Sequence, residues 1–273
     1  MKDKVIKLSN GVDIPVLGFG TYKMENGKEA FESISYALEV GYRHIDTAKI
    51  YENEETVGEA INKSGINREE IFLTTKVWNT DRGYDNTLKA FETSLKKLNT
   101  DYIDLYLIHW PNDLNVETWR ALERLYKEKK VRAIGVSNFK EYHLEEIFEN
   151  CEITPMINQV EFHPELTQPE LYEFCNSRNI VLEAWSPLMK GKIFFIDLLK
   201  ELSEIYNKTI PQIVLRWNIQ LGVVTIPKSV TKERIRENFN VFDFELTKEH
   251  IERLDSLNED KRIGPNPSEY SGH

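Results

Sequence analysis

A phenol, an ammonium, a carboxylate and an imidazole stand in this sequence where β-type runs give way to polar residues. YRHIDTAKIY carries Asp46 and Tyr51, TTKVW carries Lys76, and LIHWP carries His109. Together they make a proton-transfer set. A phenol with a pKa near 10 donates reluctantly at neutrality, and an adjacent ammonium stabilises its conjugate base. Lys76 is therefore expected to bring Tyr51 towards a useful range. A lysine at a partly buried strand end is costly unless paired, and Asp46 supplies the carboxylate. His109 is then placed to orient a substrate oxygen or to assist proton transfer. Taken singly, each has an ordinary explanation: Asp46 as a loop cap, Tyr51 as a core aromatic, Lys76 as a solvated terminus, His109 as a satisfied core histidine. Independent structural causes would scatter them over both ends of their strands, whereas all four fall at the same end of three successive ones.

Such convergence needs a scaffold whose strands run the same way. Runs of β type begin near Arg43, Phe72, Tyr102, Val131, Met156, Val181, Val223 and Val241, mostly 25 to 30 residues apart, the size of a βα unit. IFLTTKVW, YIDLYLIHW, VRAIGVSNF and VLEAWSPL are mainly apolar, as parallel strands covered by helices must be. Between the runs, residues 29–40, 54–62, 84–98, 116–129, 142–148 and 169–178 carry apolar side chains at helical intervals. Leu88, Phe91, Leu95 and Leu98 form one such stripe. Upstream, VIKL and VDIPVLGFG flank Ser9-Asn10-Gly11, a hairpin signal. The pattern predicts an α/β fold, a (β/α)8 TIM barrel preceded by an N-terminal β-hairpin, forming a single domain over residues 1–273. A Rossmann fold is disfavoured: Gly18 and Gly20 in LGFGTYK have no third glycine at GxGxxG spacing, and neither a P-loop nor an HExxH sequence occurs.

Composition narrows the partners. Of 273 residues, 40% are hydrophobic and 29% charged, enough apolar content for a core. Lys and Arg number 35 against 45 Asp and Glu, a formal charge of −10 that disfavours nucleic acid and anionic lipid. No apolar run approaches the ~20 residues that span a bilayer, and MKDKVIKLSNG lacks a signal peptide's apolar block. A cytoplasmic protein is expected, with a monomer favoured. Cys151 and Cys175 fit no CxxC pattern and read as ordinary thiols; no metal is expected.

The chain resembles the aldo-keto reductase superfamily. The segments LGFGTY, GYRHIDTAKIYENEETVGEAI, DYIDLYLIHWP, AIGVSNF, NQVEFHP, WSPL, IPKSVTKERIRENF, VFDFEL and RIGPNP match the family's patterns in the family's order, over essentially the whole chain. The resemblance is nearest to bacterial reductases of the 2,5-diketo-D-gluconate and methylglyoxal type. It implies that Tyr51, Lys76, Asp46 and His109 are a catalytic tetrad: the tyrosine a general acid, the lysine lowering its pKa and paired to the aspartate, the histidine positioning the carbonyl. It also implies NADPH or NADP as cofactor, with Gly20, Thr21 and Asp46 among the contacts. By the same resemblance Ser137, Asn138 and Gln159 hold the carboxamide, Trp185 stacks on the nicotinamide where the family more often has tyrosine, and Ser186 and Leu188 match the pyrophosphate loop.

The segment KSVTKERIR bears on which dinucleotide is used. Lys228, Lys232, Arg234 and Arg236 against Glu233 give a net +3 within an acidic protein. Lys228, Ser229 and Arg234 match positions that bind the 2′-phosphate of NADPH, and Glu237 and Asn238 match positions beside the adenine. On charge alone the segment also reads as a solvated helix start with Thr231 as its N-cap. Tyr22, Trp78 and Trp110 adjoin the catalytic strand ends and, with His109, are expected to form an aromatic substrate pocket that excludes water. By the same resemblance the family's specificity loops correspond to residues 79–84, 189–195 and the tail from Arg262, and all three look short, which favours small aldehydes and ketones as substrates. Two rival readings stand beside carbonyl reduction. One is a cofactor-binding regulatory protein on the same fold, like some ion-channel subunits of the superfamily. The other is a metal-dependent barrel hydrolase using Asp46, His109, Glu161, His163 or Glu183, disfavoured because Lys76 would place positive charge beside the ion.

Overall fold

A computed structural model describes residues 4–270; the ends of the expected domain span, 1–3 and 271–273, lie outside the described residues. The first two strands, β1 (Val5–Lys7) and β2 (Asp13–Pro15), pair antiparallel with Ile6 opposite Ile14. In the turn between them Gly11 takes a φ of 86°, a left-handed conformation that glycine adopts without steric cost. The expected hairpin is present.

Eight parallel strands follow: β3 (Phe19–Gly20), β4 (His44–Asp46), β5 (Phe72–Val77), β6 (Ile103–Ile108), β7 (Val131–Ser137), β8 (Ile157–Glu161), β9 (Val181–Trp185) and β10 (Val224–Thr225). Each is hydrogen-bonded to the next in sequence order. The sheet then closes on itself. Thr225 N donates to Val16 O at 2.9 Å, Gly18 N to Thr225 O at 2.9 Å and Gly20 N to Pro227 O at 3.1 Å. This is the expected (β/α)8 barrel. Every residue of β5 and β6 is buried, because one face fills the barrel and the other lies under helices.

The helices are α1 (Lys28–Val40), α2 (Glu54–Lys63), α3 (Tyr84–Leu98), α4 (Asn115–Lys127), α5 (Glu141–Asn150), α6 (Pro169–Asn176), α7 (Asp197–Tyr206), α8 (Ile210–Gln220), α9 (Lys232–Phe239) and α10 (Lys248–Asp255). The first six agree with the periodicity to within two residues at either end. On α3 the stripe is core: Phe91, Leu95 and Leu98 are buried and Leu88 packs against them. No described helix is long and apolar enough to cross a membrane.

One of the eight expected strands is misplaced. The run at Val241 is not a strand, and the eighth place belongs to Phe19–Gly20, which the sequence grouped with the hairpin. The alternation in VFDFEL has another cause. Its backbone is satisfied by a side chain of α8, with Leu246 N donating to Gln220 Oε1 at 2.7 Å and Gln220 Nε2 donating to Leu246 O at 3.0 Å. Val241 and Leu246 are buried while Asp243 and Glu245 face outward. Gly18 and Gly20 serve closure. A Cβ on Gly18 would lie 2.6 Å from His44 Nδ1 and 2.8 Å from Ile226 Cγ2, and one on Gly20 would lie 2.9 Å from the Ile226 carbonyl oxygen.

Candidate active site

Parallel strands deliver their last residues to one mouth, and the polar set stands there. Asp46 is the last residue of β4, Lys76 the penultimate residue of β5, and His109 follows the end of β6. Tyr51 ends a single 3-10 turn, Lys49–Tyr51, that carries the chain from β4 towards α2. Lys76 Nζ donates to Asp46 Oδ1 at 2.7 Å, to Asp46 Oδ2 at 2.8 Å and to the Thr47 carbonyl at 3.0 Å. Lys76 is 0% and Asp46 2% exposed, so the ammonium has protein partners where water cannot reach it. Nζ also sits 5.1 Å from the centre of the Tyr51 ring. The Tyr51 and His109 rings meet edge-on, with centroids 5.6 Å apart.

The proton affinities depart from one expectation. The half-buried Tyr51 phenol is pushed well above its ordinary value, first by burial and then by the Asp46 charge, with smaller contributions from Tyr22 and Glu183. In the protein alone burial and the Asp46 charge set the net direction, with the Lys76 ammonium beside the ring. Tyr51 is therefore firmly protonated, the state a proton donor requires. His109 is held well below its ordinary value by burial and then by the Lys76 and Arg82 cations. It is a neutral imidazole that offers a hydrogen bond rather than a charge.

Beside the four lies a second polar layer. Gln159 Nε2 donates to Asp46 Oδ2 at 2.8 Å and to Glu183 Oε2 at 2.9 Å, so what its amide has left to offer is the carbonyl oxygen Oε1. Asn138, at φ 66°, donates from Nδ2 to His109 O and Ser137 Oγ, each at 3.0 Å, and accepts from Trp185 Nε1 at 2.8 Å. Ser137 Oγ donates to Gln159 O at 2.9 Å. The expected carboxamide contacts are thus brought together, but Ser137 and Asn138 are already satisfied by one another and by the strand ends. The Trp185 indole is half-buried, pinned at its nitrogen by Asn138, with Gly264 of the tail packed against its ring. Ser186, at φ 52°, and Leu188 form the half-buried turn that follows it. At the end of the neighbouring β3, buried Thr21 donates from both N and Oγ1 to the Asp46 carbonyl, at 3.0 and 2.9 Å.

The basic segment separates into two pairs. Lys232 and Arg236 stand over the Tyr36 ring at 5.2 and 5.7 Å. Lys228 and Arg234 are exposed, and among the described residues neither enters an ion pair, which leaves them available to an anion. Ser229 is buried and accepts from Thr231 N at 3.1 Å. Thr231 is the N-cap of α9 by position, without a capping bond from its side chain. Asn238 is buried on α9, and Glu237 Oε1 accepts from Thr209 Oγ1 at 2.9 Å.

Of the expected pocket aromatics, Tyr22 and Trp78 face the site. Tyr22 packs on Tyr51 at 5.0 Å and Trp78 on His109 at 5.0 Å. Trp110, only 7% exposed, packs at 4.5 Å on Tyr270 of the tail, so it and Tyr270 act as one wall. Sequence reasoning named the tail but missed its fastening. Glu161, fully buried on β8, accepts from Ile263 N at 2.7 Å and Gly264 N at 3.0 Å, with His163 Nε2 at 3.1 Å from the same oxygen. Gly264 has no room for a Cβ, which would meet the Trp185 ring at 2.3 Å. The carboxylates of the hydrolase reading are thus engaged with an ammonium, an amide or the tail, and no cluster of three or more His, Cys, Asp or Glu among the described residues is arranged to hold a metal ion.

Comparison with known proteins agrees with this architecture. Residues 16–259 match the model of the Aldo/keto reductase family. The chain is 57% identical over 270 residues to a glyoxal reductase of Bacillus subtilis, covering 98% of each chain. It is 45% identical over 273 residues to a methylglyoxal reductase of Escherichia coli, again over 98% of each. A solved structure of a Gox0644 variant in complex with NADPH is similar with a TM-score of 0.93 and 40% identity, covering 97% of this chain and 98% of that one.

Proposed function

The chain belongs to the aldo/keto reductase family, and from that premise we propose that residues 1–273 form one catalytic domain that reduces small aldehydes and ketones to alcohols with NADPH. The observation that carries the proposal is the buried Lys76–Asp46 pair beneath a protonated Tyr51, with neutral His109 edge-on to the same ring. The glyoxal and methylglyoxal reductase relatives support dicarbonyls of that size as substrates. Two unpaired cysteines, Cys151 and Cys175, accord with a cytoplasmic setting.

The residues at the mouth fit a nicotinamide dinucleotide: a half-buried indole at Trp185, a carbonyl acceptor at Gln159 and two exposed cations, Lys228 and Arg234, without ion-pair partners among the described residues. When bound, that group supplies a hydride to the carbonyl carbon. The protein supplies the rest. The His109 ring stands edge-on to Tyr51 at the mouth, placed to hold the carbonyl oxygen in line with Tyr51. Tyr51 gives its proton to that oxygen as negative charge develops there, and Lys76, anchored on Asp46, keeps a cation beneath the phenolate so formed. Tyr22 and Trp78 flank the reacting groups and limit water. Gly20, Thr21, Ser137, Asn138, Ser186 and Leu188 shape the nicotinamide and pyrophosphate side. Lys228, Ser229 and Arg234 take the 2′-phosphate, with Glu237 and Asn238 beside the adenine.

Measuring the turnover of a panel of small carbonyl compounds with NADPH and with NADH tests the reading. Arg234→Ala removes one charge-assisted contact to the 2′-phosphate. Its KM for NADPH is expected to rise roughly tenfold or more, and its KM for NADH to change by less than about twofold. Equal wild-type efficiency with the two cofactors would sink the assignment of the basic segment.

A further inference from the structure

A buried carboxylic group lies one hydrogen bond beyond the proton-transfer set, and carbonyl reduction as set out above gives it no task. Glu183, in the middle of β9, is fully buried on the barrel interior. Its Oε2 accepts from Gln159 Nε2, the same amide nitrogen that serves Asp46, so one NH2 group joins two carboxylic side chains at 2.9 and 2.8 Å. Its Oε1 has no hydrogen-bond partner and lies 3.5 Å from His44 Nε2. We propose, resting on the reductase reading, that Glu183 is a positioning residue that tunes Tyr51 through Gln159, Asp46 and Lys76: ionised, it adds a second negative charge to a site with one fixed cation and slows proton delivery to the carbonyl.

The charges around it are few. On β4 it faces His44 and Asp46, and on β5 Lys76. The β8 neighbour is neutral Gln159, while Glu161 of that strand is turned to the tail amides. β10 contributes no ionisable residue. His44 cannot serve as counterion, because burial holds its imidazole down to about 3, and its Nε2 is within 3.1 Å of Thr74 Oγ1. With Glu183 protonated, the Lys76–Asp46 pair balances. With Glu183 ionised, the set carries a net negative charge that favours keeping the proton on Tyr51. Burial and then the Asp46 charge push the Glu183 carboxyl up to about 8. It therefore ionises as pH rises through that value, and the reductive rate falls in the same window.

The test is the pH profile of kcat for reduction in the wild type and in Glu183→Gln, which keeps the shape and fixes the group neutral. Wild-type kcat is expected to fall roughly tenfold between about pH 7 and about pH 9, the scale of one unit charge acting across several ångströms at an effective dielectric of about 20. In Glu183→Gln the fall over the same interval is expected to be less than about twofold. A purely structural role would lower kcat evenly and leave the two profiles parallel; that result, or a flat wild-type profile, overturns the proposal. Infrared titration of wild-type protein carrying isotope-labelled glutamate does not depend on the variant folding. A buried protonated carboxyl whose band disappears with the midpoint of the kcat profile supports the assignment. Its absence at about pH 6, or loss at an unrelated midpoint, overturns it. Wild-type protein that turns over no carbonyl contradicts the reductase reading itself, and the infrared titration then still reports on Glu183 alone.

Discussion

Tyr51→Phe is expected to lower the rate of carbonyl reduction by about 10²- to 10⁴-fold, the range over which a positioned general acid contributes, while NADPH binding stays within about twofold of wild type. The asymmetry follows from geometry. Phenylalanine keeps the ring that packs on Tyr22 and His109 and loses only the hydroxyl. The cofactor contacts proposed above come from other strand ends. Quenching of tryptophan fluorescence by NADPH reads the affinity, since Trp185 forms part of the expected binding face, and single-turnover kinetics read the chemistry. A regulatory protein that merely carries a cofactor predicts no activity to lose; unchanged turnover in the variant would remove Tyr51 from its role.

Lys76→Met carries the second large effect, on stability as well as rate. The substitution leaves the Asp46 carboxylate buried without its ammonium, and breaking a buried ion pair from one side costs about 3–5 kcal/mol. Denaturant unfolding should show that loss. Adding Asp46→Asn to the variant removes the stranded charge and keeps an acceptor for Gln159, so the double variant is expected to regain roughly half of the lost stability while remaining inactive. A double variant no more stable than Lys76→Met alone would mean that the stranded carboxylate is not the source of the cost.

Residues with strong local signals carried most of the fold. The long apolar strands, the amphipathic helices and the Asn-Gly hairpin were legible because each buries a face that its own period reveals. The first barrel strand was not, because Phe19–Gly20 is two residues long and owes its place to backbone bonds with Thr225 and Pro227. Val241 misled for the converse reason: alternation records which side is buried, and here the burying surface is helical. The set of Asp46, Tyr51, Lys76 and His109 could be read from types and strand ends. The proton affinity of Tyr51 could not, because it depends on burial and on the Asp46 charge that the fold brings beside it. Glu183 was visible as a lone acid in the apolar run VLEAW, yet its link to Asp46 passes through Gln159 on another strand, a relation of register that spacing does not show. The Glu161 fastening of the tail joins residues about a hundred positions apart and has no local signature.

The proposed reaction moves a hydride to a carbonyl carbon under the control of Tyr51. Reduction of glyoxal or methylglyoxal with NADPH deuterated at the transferable position tests it most directly. One deuterium on the new carbinol carbon is expected for each NADPH oxidised, without added metal. NADPH consumed with no label in the alcohol, or turnover that requires a metal ion, would contradict it.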